Sequence, residues 1–163
     1  MKVQMGTLRD AIALSSWVLA AEIVGWVSSI FTVSSFQQWY AFLDKPSFSP
    51  PEASFGPIWV VLYFLMGLAA YYMWGRRERP AARRALAVFV VQLFLNALWS
   101  PVFFGLQYPL MGVVVISMLL VVIAVNTYYF WRVRRIAGVL MLPYLGWVAF
   151  ATVLNISIWW MNS

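Results

Sequence analysis

The sequence predicts an all-α integral membrane protein, a bundle of five transmembrane helices that forms a single domain over residues 1–163. Only 10% of the residues are charged, whereas an average soluble domain has about 25%. The apolar residues are also gathered into five runs, each long enough to cross the hydrocarbon core, which takes about 17–25 helical residues. The predicted helices are 11–33, 57–74, 85–106, 109–131 and 137–160.

Helices fit these runs better than strands do. A helix satisfies every backbone hydrogen bond within its own segment, as lipid requires, and a membrane β-barrel would instead show short segments of alternating polarity. The first run is too long for the apolar core of a cleaved signal peptide, so we expect it to remain as a membrane helix. Little sequence lies between the runs, so we expect no second domain.

The first helix carries Glu22, the only charged residue within any of the five runs. It follows about two to three helical turns and should lie near mid-depth. A carboxylate within the membrane is costly and marks a functional site by default, here a proton-transfer or polar site. The alternative is a structural residue that hydrogen-bonds within the bundle. Ala21 and Gly25 form a small-xxx-small pair, which predicts the close approach of another helix.

A proline-rich segment, 34–56, joins the first two helices. Four of the eight prolines fall between residues 46 and 57. Prolines reduce the entropy lost when a segment is ordered, and they hold the preceding residues extended. We therefore expect a stiff lid over a cavity between the helices, although a loop lying among lipid headgroups is the alternative. The expected lid residues are Trp39, Lys45, Pro46, Pro50 and Pro51.

Three tryptophans from the second, third and fifth helices fall in the half of the membrane beneath this lid. They are Trp59, Trp99 and Trp147. Tryptophans at helix ends, such as Trp74 and Trp131, are explained by the preference of the indole ring for the headgroup zone. The three inner tryptophans fit either ordinary packing or the lining of a flat aromatic pocket.

A polar stripe runs along the third helix, where Gln92, Asn96 and Ser100 share one face because they are spaced four residues apart. Asn126 in the fourth helix and Asn155 in the fifth add two more amides. Amides within a membrane usually bond neighbouring helices. A few polar groups beside aromatic rings also suit a site that orients an apolar ligand, and both interpretations remain open.

The charge distribution predicts the orientation of the bundle. Five spans place the termini on opposite sides, and ten of the eleven Lys and Arg residues fall on the N-terminal side, with only Lys45 on the other. This asymmetry indicates a cytoplasmic N-terminus, with the first loop and the C-terminus outside. The basic residues within 76–84 are explained by topology and lipid headgroups, so we expect no nucleic-acid partner.

The chain contains neither cysteine nor histidine. This composition excludes disulfides, thiol nucleophiles, the usual zinc sites and histidine-ligated haem. The sequence also shows no general acid–base pair or activated nucleophile. We therefore predict no catalytic residues, no metal site and no required cofactor.

Four stretches carry a resemblance to a known family. They are WYAFLDKPSFSPP (39–51), GPIWVVLYFLMG (56–67), QLFLNALWSPVFFG (92–105) and PYLGWVAFATVLN (143–155). Together they resemble the tryptophan-rich sensory proteins of bacteria and their mitochondrial relatives, the translocator proteins once called peripheral benzodiazepine receptors (the TspO/MBR family). The resemblance implies a five-helix bundle, commonly a homodimer, with a ligand pocket closed by the first loop.

The resemblance also implies a function and a set of site residues. Family members bind porphyrins, so protoporphyrin IX or haem is the expected ligand, and the lack of histidine favours a metal-free porphyrin. Its propionates would meet Lys45 near the mouth of the pocket. By position, the expected pocket residues are Tyr40, Trp59, Asn96, Trp99, Ser100 and Trp147.

The leading hypothesis is therefore a membrane receptor or transport-type protein for porphyrins or other apolar small molecules, in contact with membrane lipid. One alternative is a light-dependent porphyrin-degrading activity, in which the bound porphyrin itself absorbs the light. Another is a transporter that binds sterols or lipids.

Overall fold

The structure, a computed structural model, describes residues 8–163. Residues 1–7 lie outside the described residues, and they include Lys2, one of the ten basic residues predicted on the N-terminal side. The five long helices are α1 Leu8–Phe36, α2 Glu52–Trp74, α3 Pro80–Ser100, α4 Pro109–Val133 and α5 Arg135–Met161. Each is long and apolar enough to cross a membrane, and no strand occurs between residues 8 and 163. The predicted five-helix membrane bundle is confirmed.

The helices extend beyond the apolar runs because their ends take in polar residues and prolines that suit a first turn. α3 begins at Pro80, ahead of the run that starts at residue 85, since proline is favoured at the first helical position. α2 begins at Glu52 and includes Pro57, and an acidic residue in the first turn complements the helix dipole. The segment between α1 and α2 is therefore 37–51, shorter than the predicted 34–56.

The helices form a ring in the order α1, α2, α5, α4, α3, in which each packs against its two neighbours. α1 is the most exposed member, with only Ala21, Ser28 and Ser35 buried. Trp17, Val24 and Phe36 are partly buried and pack against the core, and much of the rest of α1 is exposed on the outside of the bundle. This peripheral position is what allows a cavity to form along one side of α1.

Glycines set how closely α1 and α2 approach. An ideal Cβ on Gly25 would lie 2.4 Å from Cε2 of Tyr63, and one on Gly67 would lie 2.5 Å from Cα of Val18. Neither position has room for a methyl group. The close approach that the Ala21 and Gly25 spacing predicted is confirmed, with α2 as the partner helix.

The run predicted as the third helix changes geometry at its end. Pro101 lacks a backbone N–H, and the segment Pro101–Gly105 is a π-helix in which Leu106 N donates to Pro101 O at 2.8 Å. The wider turn buries Phe103 and Phe104 in the bundle. A single π-helical turn is often found at functional sites, and here it adds two rings to the aromatic region beneath the first loop.

Candidate ligand-binding site

The segment between α1 and α2 is folded onto the bundle. Its short 3₁₀ turn, Tyr40–Phe42, buries the Tyr40 ring, which is 2% exposed and packs against Phe36 and Phe104. Nζ of Lys45 donates to Tyr40 O at 2.8 Å and lies 4.6 Å from the Tyr40 ring centroid. Lys45 is therefore held against the segment itself.

Burial also changes the ionisation of Tyr40. It raises the pKa of the phenol above its ordinary value, and the Glu52 carboxylate raises it further, while a hydrogen bond with Ser49 acts in the opposite direction. The neutral phenol is thus the form that this buried position favours.

Asn162, the residue that follows α5, connects the segment to the bundle. Asp44 N donates to Oδ1 of Asn162 at 3.0 Å, and Nδ2 of Asn162 donates to Asp44 O at 2.9 Å. Both bonds use backbone atoms of Asp44, so its carboxylate is not needed for them. Ring contacts between Phe48 and Phe150 add an apolar attachment to the same helix.

Two cavities lie beneath this segment. The larger, of about 600 Å³, is bounded by α1, α2 and α3 and is called here the α1–α2–α3 cavity. The smaller, of about 10 Å³, lies between the loop segment and α5 and is called the lid–α5 cavity. The larger volume falls within the roughly 300–1,000 Å³ typical of small-molecule sites, whereas the smaller approaches the volume of a single water.

The six expected pocket residues are divided between these cavities. Trp59 and Trp99 line both, Asn96 and Ser100 line only the larger, and Tyr40 and Trp147 line only the smaller. The division arises because four rings that line both cavities form an aromatic wall between them. The aromatic wall consists of Phe55, Trp59, Trp99 and Phe104.

The expected lid residues lie outside the linings of both cavities. The Trp39 ring packs against Phe103 with centroids 5.6 Å apart, and Lys45 is bonded to Tyr40. The lid–α5 cavity is instead bordered from above by Tyr40. The proline residues of the segment therefore shape the cover without touching the space beneath it. These residues are Pro46, Pro50 and Pro51.

The aromatic wall presents flat surfaces to the larger cavity. The Trp59 and Trp99 rings lie 6.4 Å apart at 33°, and the Trp59 and Tyr63 rings lie 5.7 Å apart at 33°. The Trp99 indole is fixed by donating Nε1–H to Oδ1 of Asn155 at 3.2 Å. Asn155 thus positions a cavity residue without lining the α1–α2–α3 cavity.

Asn96 joins three helices at the inner edge of the cavity. Its Oδ1 accepts from the Tyr63 hydroxyl at 2.7 Å, and its Nδ2 donates to the Tyr144 hydroxyl at 2.5 Å. Asn96 is buried, so these bonds satisfy groups that lipid would leave unpaired. The amide therefore holds the Tyr63 ring in place, where it forms part of the cavity lining.

Ser100 joins α3 to α1. Its hydroxyl donates to Ser28 O at 2.7 Å, and it lies 2.8 Å from the Thr32 hydroxyl. Because the single Ser100 hydrogen is used toward Ser28, Thr32 is the donor to Ser100.

Gln92 joins α3 to α4 by accepting from Asn126 at 3.0 Å, away from either cavity. The polar stripe thus bonds helices along its length, and two of its three members also line the larger cavity.

Glu22 lines the α1–α2–α3 cavity at its deep end, near Gly25 and Tyr63. The side chain is partly exposed. Tyr63 contributes its ring to the lining and its hydroxyl to Asn96. Glu22 is therefore a charged residue in the lining of the larger cavity.

The α1 side of the cavity was missed at the level of sequence. Ser29, Thr32 and Phe36 line the space with Glu22 and Gly25, and this spacing of three or four residues places them on one helix face. The available sequence signal was the stripe of small and polar residues on α1 that begins at Glu22.

The Trp147 indole differs from that of Trp99. Its Nε1 is buried and has no hydrogen-bond partner among the residues the structure describes. The Trp147 ring contacts Phe55 and Phe150 and borders only the lid–α5 cavity. Trp147 is therefore separated from the larger cavity by the aromatic wall.

Comparison with known proteins agrees with this architecture. The model of the TspO/MBR family matches residues 17–161. The chain belongs to the TspO/MBR family. Its similar relatives in this family include "Tryptophan-rich protein TspO" of Archaeoglobus fulgidus, 42% identical over 94% of this chain and 99% of the relative. The "Translocator protein" of Homo sapiens is 37% identical over 88% of this chain and 86% of the relative.

Another TspO/MBR relative, the "Tryptophan-rich sensory protein" of Cereibacter sphaeroides, is 38% identical over 72% of this chain and 73% of the relative. The family assignment and the five apolar helices together establish a multi-pass integral membrane protein. The family resemblance noted from four sequence stretches is confirmed.

Proposed function

We propose that this TspO/MBR-family protein binds a porphyrin of the protoporphyrin IX type in the α1–α2–α3 cavity and acts as a membrane receptor or carrier for it. The observation that carries this proposal is a cavity of about 600 Å³ bounded by the rings of Trp59 and Trp99. Flat faces of this kind suit stacking on an aromatic macrocycle. Asn96 and Ser100 supply a small polar edge beside them.

The cavity is open on its lipid-facing side. Trp26 and Val33 of α1 are each 73% exposed, and Val60 of α2 is 51% exposed, although all three line the cavity. An apolar macrocycle dissolved in the bilayer would enter between the outer halves of α1 and α2. Its carboxylates would remain toward the outer end, where the exposed Gln37 offers an amide donor.

We also propose the orientation and assembly that follow from sequence. Ten of the eleven basic residues lie on the side of the N-terminus, which supports a cytoplasmic N-terminus and an outward-facing first loop. A homodimer in contact with membrane lipid is the proposed assembly. Protease accessibility of the loop segment from the two membrane faces and the mass of the detergent-solubilised particle test these two statements.

The proposed binding is tested by titrating purified protein with protoporphyrin IX while recording tryptophan quenching and porphyrin absorption. Trp59→Phe should weaken binding by roughly two- to tenfold, since an aromatic pair contributes about 0.5–1.5 kcal/mol. Trp147→Phe is the matched control, because Trp147 lines only the lid–α5 cavity. Its affinity should stay close to that of the wild type.

Two results would contradict the proposal. Binding that fails to saturate would indicate partition of the porphyrin into detergent. Saturable binding that Trp147→Phe weakens and Trp59→Phe leaves unchanged would place the ligand beside α5 instead.

A further inference from the structure

The α1–α2–α3 cavity carries negative charge and no positive charge among its described lining residues. Glu22 lies at its deep end, and Glu52, the first residue of α2, lies at its outer end. The nearby cation Lys45 is bonded to Tyr40 O and packed over the Tyr40 ring. A ligand group that enters this cavity therefore meets carboxylates with no competing ammonium or guanidinium.

The depth of Glu22 makes its charge important. It lies midway along α1 (Leu8–Phe36), roughly 21 Å from either end at about 1.5 Å per residue. Its carboxylate has no hydrogen bond or ion pair within residues 8–163. A carboxylate at this depth is costly unless it is paired, and a ligand cation would supply the missing partner.

The surrounding rings also favour a cation. Trp26, Trp59 and Tyr63 line the same cavity as Glu22. The faces of such rings attract ammonium groups, and the attraction grows when water is excluded. A carboxylate beside aromatic faces is thus a combination that recognises a protonated amine attached to an apolar body.

We infer that the α1–α2–α3 cavity binds membrane-soluble alkylamines that carry an aromatic ring system, with the ammonium group on Glu22 and the aromatic body against Trp59. The inference rests on the proposed use of this cavity as the ligand site and adds a second ligand class to it. An amine-bearing phospholipid lacks the aromatic body that would pack against Trp59. The amine reaches Glu22 through the open side between α1 and α2.

The test uses two probes that differ only in the group that Glu22 would bind, 9-(aminomethyl)anthracene and 9-anthracenemethanol. Tryptophan quenching by each is measured on protein in nanodiscs of neutral phosphatidylcholine. The wild type should bind the amine at least about tenfold more tightly than the alcohol, since a hydrogen bond to a charged group contributes about 1.5–3 kcal/mol. Glu22→Gln should remove this preference.

Glu78→Gln is the matched control, because it removes the same charge from an exposed position that lines neither cavity. It should retain the full preference for the amine. Equal affinities for the amine and the alcohol in the wild type would overturn the inference, and this comparison needs no variant to fold. A preference that persists in Glu22→Gln, or amine binding that never saturates, would overturn it as well.

Titrating the same samples with protoporphyrin IX separates this inference from the proposed function. Saturable porphyrin binding without a preference for the amine would contradict only the inference that the cavity binds amines. A preference for the amine that depends on Glu22, without saturable porphyrin binding, would support the inference that the cavity binds amines. The same result would contradict the proposal that it binds porphyrin. Removing the Glu22 charge should leave porphyrin affinity unchanged or increase it, because a porphyrin carries anionic propionates.

Discussion

At the scale of single residues, the cavity depends on how Gly25, Tyr63 and Asn96 fit together. The absence of a side chain on Gly25 makes room for the Tyr63 ring, and the Tyr63 hydroxyl donates to Asn96. The spacing of Ala21 and Gly25 was enough to predict that a helix would approach. It could not identify Tyr63 as the contacting residue, because that contact depends on the rotation of α2 about its own axis.

A methyl group on Gly25 should therefore destabilise the bundle. We expect Gly25→Ala to displace the Tyr63 ring and to lower the free energy of unfolding by about 1–3 kcal/mol, the usual cost of overpacking. Gly56→Ala is the control, since its Cβ would have nothing within 4 Å. Denaturation of both variants in mixed detergent micelles checks this, and equal midpoints for the two would contradict the account.

At the scale of elements, the segment 37–51 is held to the bundle by contacts that could not be predicted from its prolines. The prolines predicted a stiff cover, but the attachment to α5 is made by Asn162, 118 residues away from Asp44 in sequence. No local pattern signals such a pair. The π-helix Pro101–Gly105 could not be predicted either. Pro101 indicates that the helical hydrogen bonding is interrupted, but it does not indicate which kind of turn follows.

The attachment at Asn162 makes a prediction about the motion of the segment. Asn162→Ala should speed amide hydrogen exchange in residues 43–49 by roughly tenfold, since it removes two hydrogen bonds of about 0.5–1.5 kcal/mol each. Asp44→Ala should leave exchange nearly unchanged, because both bonds use the Asp44 backbone. Mass spectrometry of the exchanged peptides provides the measurement, and equal exchange in the two variants would show that the side chain of Asn162 does not hold the segment.

At the scale of the whole molecule, the fold could be predicted from the sequence, but the separation of the expected pocket residues into two cavities could not. Five long apolar runs determine five spanning helices almost by themselves, as the structure confirms. The order of the helices around the ring cannot be obtained from run lengths. In that order α1 is the most exposed helix, and the larger space opens on the α1 side of Trp59 and Trp99, whereas Trp147 lies behind the aromatic wall.

The central claim is that porphyrin occupies the α1–α2–α3 cavity, and the lack of native cysteine allows a direct test. Gln37 lines this cavity, and its exposed neighbour Gln38 lines neither cavity. The rate of maleimide labelling is measured for Gln37→Cys and Gln38→Cys, with and without protoporphyrin IX. The account predicts that porphyrin slows labelling at residue 37 and leaves residue 38 unaffected, whereas equal rates at residue 37 with and without saturating porphyrin would contradict it.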